Sequence, residues 1–252
     1  MVSFDLKDRI ALVTGASRGI GRAIAETLAE YGAETILVSR SQEDLETVAA
    51  GIREKGGRAT ALACNMGNLD AIGALYEKIG ETWGRLDILV NNAATNPFFG
   101  ELAAIDESAW LKTVDVNLKG PFFMIQKAVP LMKAAGKAAV VNVSSVNGIR
   151  PAAFQGVYSI TKGALITMTQ AFAKELADYR IRVNALLPGF TDTQFSSVLM
   201  QNKEVYQTVI AQIPLKRHAE PDEMAGAVLY LVSDAASYTT GACITCDGGL
   251  LA

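Results

Sequence analysis

Histidine, cysteine, basic clusters and long apolar runs are all scarce in this 252-residue chain, and each scarcity closes off a class of function. Lys and Arg number 23 against 26 Asp and Glu, a formal net charge of −3 with no basic block, so no nucleic-acid partner is expected. No apolar run approaches the roughly 18 residues of a membrane span, so no membrane partner is expected either. Met1 to Arg9 carries charges and no apolar centre, unlike a secretory signal, and the final Gly248-Gly249-Leu250-Leu251-Ala252 is not a peroxisomal address. Three cysteines suit a reducing cytoplasm better than a disulfide framework. Cys243 and Cys246 fall in an apparent strand, where residues three apart point to opposite faces and make a poor chelate. The lone histidine, His218, follows Lys216-Arg217 and reads as a loop residue, so no metal site is expected.

No repeat, linker or low-complexity stretch interrupts the sequence, and residues 1–252 read as one domain. Short apolar runs alternate with helical spacing. Strands are expected at Ile10–Thr14, Thr35–Val38, Ala59–Cys64, Leu86–Val90, Ala138–Val143, Ile181–Leu187 and Ala242–Thr245. Helices are expected between them, including one long stretch from Asp106 to about Ala135. Such alternation implies an α/β fold, a mostly parallel doubly wound sheet with helices on both faces.

Several clusters within that frame carry chemistry. Tyr158 and Lys162 stand one helical turn apart on a shared face. An ammonium beside a phenol favours the phenolate, so this spacing predicts a tyrosine of lowered pKa, able to exchange protons near neutral pH. Gly15-Ala16-Ser17-Arg18-Gly19-Ile20-Gly21 lies between a strand and a helix, the context in which glycines let a backbone approach a pyrophosphate. The second strand ends in Ser39-Arg40 rather than a carboxylate; a guanidinium there, helped by Arg18, would pair with a 2′-phosphate. This favours NADP(H), with NAD(H) possible; a solvated loop charge is the other reading of Arg40. Asn65 closes the third strand, where an adenine would lie. Asn91-Asn92-Ala93-Ala94 closes the fourth with small and amide residues. Asn117 precedes Gly120-Pro121, where a helix would kink, and serves either to bridge water or to cap the freed backbone. Ser144-Ser145 stands at the carboxyl end of the fifth strand, the sheet edge at which ligands bind. After Pro188-Gly189, the stretch from about 190 to 220 is helix-prone, with Phe195, Val198, Leu199, Met200, Val205, Tyr206 and Ile213, and reads as a substrate lid. Phe98, Phe99, Val146 and Phe154 suggest a partly apolar pocket and a medium-sized substrate without high charge.

Taken in order, the glycine turn, Asn91-Asn92-Ala93, Asn117, Ser145, Tyr158-x-x-x-Lys162 and Pro188-Gly189 resemble a short-chain dehydrogenase/reductase over essentially the whole chain. The 92–100 segment is similar to the carbonyl and retinal reductase branch. The resemblance implies a Rossmann-type sheet of seven strands and a homotetramer with the Asn117 and Tyr158 helices at an interface. It makes Asn117, Ser145, Tyr158 and Lys162 the catalytic residues. Tyr158 would be the acid for carbonyl reduction, Ser145 the partner of the substrate oxygen, and Lys162 the tuner of Tyr158 and a ligand of the nicotinamide ribose. Asn117 would hold a relay water. Gly15, Ser17, Arg18, Gly19, Ile20, Arg40, Asn65, Asn92, Tyr158, Lys162, Gly189, Thr191 and Thr193 would contact the cofactor. Asn65 stands where the family often has Asp, and Ala94 replaces a frequent Gly. The expected activity is NADPH-dependent hydride transfer between nicotinamide and a small carbonyl or secondary alcohol. Alternatives are a 3-oxoacyl-carrier-protein reductase and an NAD(P)-dependent alcohol or sugar dehydrogenase. A nucleotide-sensing binding protein is a further alternative, but one expected to lack the acid that Tyr158 supplies.

Overall fold

Strand β1 (Ile10–Thr14) is buried on both faces, which accounts for its unbroken apolar run. The computed structural model describes residues 2–194 and 203–252. It continues from β1 through α1 (Gly19–Glu30), β2 (Glu34–Ser39), α2 (Gln42–Glu54), β3 (Arg58–Ala63), α3 (Leu69–Trp83) and β4 (Ile88–Asn91). Next come α4 (Glu107–Val114), α5 (Gly120–Ala135), β5 (Ala138–Val143), α6 (Gly156–Leu176) and β6 (Ile181–Pro188). The chain ends with α7 (Lys203–Gln212), α8 (Asp222–Val232) and β7 (Cys243–Cys246). The strands form one seven-stranded sheet in the order β3-β2-β1-β4-β5-β6-β7, every pair parallel.

Period-two alternation divides the core. Ala11 and Val13 of β1 face a cluster with Ile24 and Leu28 of α1, Leu45 and Val48 of α2, and Val228 and Leu231 of α8. Leu12 faces the other side, with Ile72 and Ile79 of α3, Met124 and Ile125 of α5, and Ala173 and Leu176 of α6. Burying each such Leu or Ile stabilises the fold by about 1.5–3 kcal/mol. Because all strands run the same way, their carboxyl ends share one edge. The order reverses between β1 and β4, which opens a crevice at that edge.

The long helix expected from Asp106 to Ala135 is divided. Asp106 caps α4 by accepting from Ala109 N at 2.7 Å, but Asp115–Lys119 forms a π-helical turn before Gly120 and Pro121 open α5. The physical reason is the one the sequence suggests for a kink: proline cannot donate an amide hydrogen and crowds the preceding turn. Cys243 and Cys246 occupy the last strand as expected, and all three cysteines are free. No helix of the described residues is long and apolar enough to cross a membrane.

Candidate active site

The glycine turn is held open by side chains from two strands. Thr14 Oγ1 accepts from Asn92 N at 2.9 Å and Ala93 N at 3.0 Å, and donates to Val90 O. Asn92 Nδ2 donates to Thr14 O at 3.0 Å and Gly15 O at 3.3 Å. A Cβ on Gly21 would stand 2.3 Å from both Asn92 Nδ2 and Gly15 O, so this helix turn admits only glycine. Most of this frame is legible in the Asn91-Asn92-Ala93 signature. The part played by Thr14 is not, although its place immediately before the first glycine was the available signal.

Ser41 caps α2 and Asn68 caps α3, whereas α1 has Arg18 at its capping position, with no side-chain cap and no acidic residue in its first turn. Its amide dipoles are therefore directed, unquenched, toward the crevice. A Cβ on Gly19 would meet Thr193 Cγ2 at 3.3 Å, so the segment after β6 closes over this turn. Gly189 N donates to Cys246 O at 2.9 Å, and Thr191 is buried beside it. Arg18 and Arg40 are exposed, and neither forms an ion pair among the described residues. An uncapped helix amino end, glycines in close approach and two available guanidinium groups fit the phosphates of a dinucleotide. Asn65 is exposed at the end of β3, and its Oδ1 accepts from Gly67 N at 3.1 Å. It thus shapes its own turn.

Ser145, Tyr158 and Lys162 meet at the carboxyl end of β5. All three are at least nine-tenths buried. Ser145 Oγ accepts from Asn147 N at 3.1 Å and hydrogen-bonds Tyr158. Lys162 Nζ donates to Val143 O at 2.7 Å, while Ser144 Oγ donates to Lys162 O at 2.7 Å. A Cβ on Gly148 would lie 2.8 Å from Lys162 C and O, so the Val146–Gly148 turn rests directly on α6. Gly148 and Ser144 thus lock β5 to α6 at the lysine, a function that neither motif announced.

The expected acidic phenol is corrected here. Burial pushes Tyr158 up to about 12, outweighing the lowering by its hydrogen bond with Ser145. Lys162 Nζ lies 5.5 Å from the phenol ring centroid, but burial pushes its own pKa down to about 7. A low-dielectric pocket penalises both charged forms, so desolvation prevails over the pairing assumed from the four-residue spacing. The arrangement holds a protonated phenol beside a hydroxyl donor, suited to giving a proton to an oxygen that gains negative charge.

Asn117 sits in the π turn, 1% exposed. Its Oδ1 accepts from Thr95 N at 2.8 Å, and its Nδ2 donates to Thr95 O at 2.9 Å and Thr161 Oγ1 at 3.3 Å. The amide therefore clamps the β4–α4 loop to α6, and the backbone it satisfies is that of Thr95 rather than that freed at the Gly120-Pro121 kink. His218 lies in the segment between α7 and α8, with Nδ1 2.9 Å from Tyr206 Oη. Of the lid residues, Phe195, Val198, Leu199 and Met200 lie outside the described residues.

A family model described as enoyl-(acyl carrier protein) reductase matches residues 15–251. The chain is 38% identical over 244 residues to dehydrogenase/reductase SDR family member 4 of Homo sapiens, covering 97% of this chain and 88% of that protein. It is also 38% identical over 246 residues to a 3-oxoacyl-[acyl-carrier-protein] reductase of Thermotoga maritima, covering 98% and 99%. Among solved structures, a gluconate 5-dehydrogenase from Burkholderia cenocepacia in complex with NADP and tartrate is similar, with a TM-score of 0.95, 31% identity and 99% and 98% of the two chains covered. Fold, site and relatives agree: the chain belongs to the short-chain dehydrogenase/reductase family, oxidoreductases that use a nicotinamide cofactor on CH–OH and C=O groups.

Proposed function

We propose that this protein is an NADPH-dependent reductase of uncharged, partly apolar ketones or aldehydes, with Tyr158 as proton donor. The observation that carries this reading is the buried, hydrogen-bonded Tyr158–Ser145 hydroxyl pair, locked to the carboxyl end of β5 through Lys162. Tyr158 gives its proton to the carbonyl oxygen as charge develops there, and Ser145 hydrogen-bonds the same oxygen. With a pKa near 12, the phenol is fully protonated at neutral pH, the form that reduction needs. Lys162, at about 7, is near half-charge and responds to its surroundings. Asn117 is a positioning residue through Thr95 and Thr161. The bound nicotinamide supplies the hydride.

Gly15, Ser17, Arg18, Gly19, Ile20, Asn65, Asn92, Gly189, Thr191 and Thr193 would hold the cofactor, with Arg40 and Arg18 on its 2′-phosphate. NADP in the Burkholderia cenocepacia structure supports that preference. The mouth is apolar: Phe99, Leu102, Ile149 and Phe154 are each about half exposed, and the Phe99 and Phe154 rings pack tilted with centroids 6.0 Å apart. Arg150 is the sole cation within residues 94–102 and 146–156, which disfavours a sugar acid. Arg217 is paired with Glu223 at 2.6 and 2.7 Å, which makes it less available to an acidic acyl carrier. The same proposal takes residues 1–252 as one cytoplasmic domain with a lid at about 190–220, assembled as a homotetramer.

A panel of ketones, aldehydes, acyl thioesters and sugar acids, followed by loss of NADPH absorbance, tests the reading. The highest kcat/KM is expected for an uncharged ketone or aldehyde. Turnover confined to sugar acids or acyl thioesters would contradict the substrate class, and equal use of NADH would contradict the cofactor.

A further inference from the structure

Four cations line one cavity at the amino-terminal edge of the sheet, the edge opposite Tyr158. The cavity is about 310 Å³ and is bordered by Arg9 before β1, Lys137 before β5, and Arg180 and Arg182 around the start of β6. Asp234 is the one carboxylate among its lining residues. Such an excess of positive charge is conspicuous in a chain of net charge −3.

Part of this charge has a structural use. Arg182 donates to Leu231 O at 2.7 Å and Ser233 O at 3.1 Å, capping the carboxyl end of α8. Asp234 is shared by Arg9 Nη2 at 2.7 Å and Lys137 Nζ at 2.9 Å. What remains is unspent. The Arg9 side chain is only 12% exposed, yet Nη2 is the one guanidinium nitrogen hydrogen-bonded among the described residues. Arg180 has φ +57 and forms no side-chain hydrogen bond or ion pair among the described residues. Burial and the charge of Arg9 push the Arg182 guanidinium below its ordinary range, and the Asp234 carboxylate offsets this only in part, so four cations share one carboxylate.

Arginine groups converging on a concavity are suited to an oxyanion, which accepts several N–H donors at once. The volume lies at the small end of ligand pockets, and no aromatic residue in the lining is available to stack a base. We propose that this cavity binds a small, multiply charged oxyanion, phosphate or pyrophosphate, independently of the dinucleotide site.

Calorimetric titration of the NADPH-saturated protein with pyrophosphate and with phosphate, at low ionic strength, tests this. A saturable single site is expected, with Kd raised at least tenfold in the Lys137→Gln/Arg180→Asn variant and turnover unchanged. Asn tolerates the left-handed backbone at position 180. An Arg18→Gln/Arg40→Gln variant, altered at the cofactor crevice, is expected to keep the site. Heats no larger than a chloride control of matched ionic strength would overturn the proposal. So would an unchanged Kd in the Lys137/Arg180 variant, or loss of binding in the Arg18/Arg40 variant.

Discussion

Lys162 shows how burial governs the chemistry of single residues here. Its amine is held against Val143 O in a pocket that lowers its pKa to about 7, while an unfolded lysine titrates near 10.4. Between these values the unfolded chain binds the extra proton, so raising the pH favours the folded state. The stability difference between wild type and Lys162→Met is expected to shift in favour of wild type from pH 7 to pH 10. Denaturant melts at the two pH values read this; a constant difference would mean that Lys162 is not desolvated. Arg40 lies outside any ion pair among the described residues, and the proposed function puts it on the cofactor's 2′-phosphate. Arg40→Asp is expected to lower the NADPH-over-NADH ratio of kcat/KM by about 10–100-fold, the loss of a charged hydrogen bond worth about 1.5–3 kcal/mol. The positions of Tyr158, Ser145 and Lys162 were legible in sequence because helical spacing and strand ends place them. Their proton affinities were not, because those depend on burial by residues distant in the chain.

At the scale of elements, the π turn before α5 does the most to shape the site. It buries Asn117, whose amide satisfies both backbone groups of Thr95. Asn117→Ala would leave that part-buried N–H and C=O without their partner. A destabilisation of about 1–3 kcal/mol is expected in denaturant melts, together with loss of turnover as the β4–α4 loop shifts. A change within 0.5 kcal/mol would show that the clamp is dispensable. The proline signal marked a kink near Gly120, but helical periodicity could not show that the break inserts a wider turn. Strands were read more accurately than the helix junction. Their apolar runs follow directly from a sheet buried on both faces, whereas the junction depends on a loop more than twenty residues away.

At the scale of the whole molecule, α4, α5 and α6 each expose large apolar side chains. Trp110, Leu111, Phe122 and Ile160 are each 39–49% exposed, and Phe122 packs on Phe172 at 5.4 Å. If these helices meet in a tetramer, Phe122→Asp/Ile160→Asp would yield smaller species in light scattering. An unchanged mass would place the interface elsewhere. Seven-strand alternation was plain in the sequence, and the parallel order followed once helices had to cover both faces. The basic cavity was not legible, because Arg9, Lys137 and Arg182 are separated by most of the chain and meet only at the amino ends of β1, β5 and β6. The proposed reduction, however, rests on one proton. The most direct measurement is single-turnover reduction of a ketone by Tyr158→Phe with NADPH bound. The account predicts a rate at least about 10²–10⁴-fold lower with NADPH affinity little changed. A rate equal to wild type would contradict Tyr158 as the proton donor.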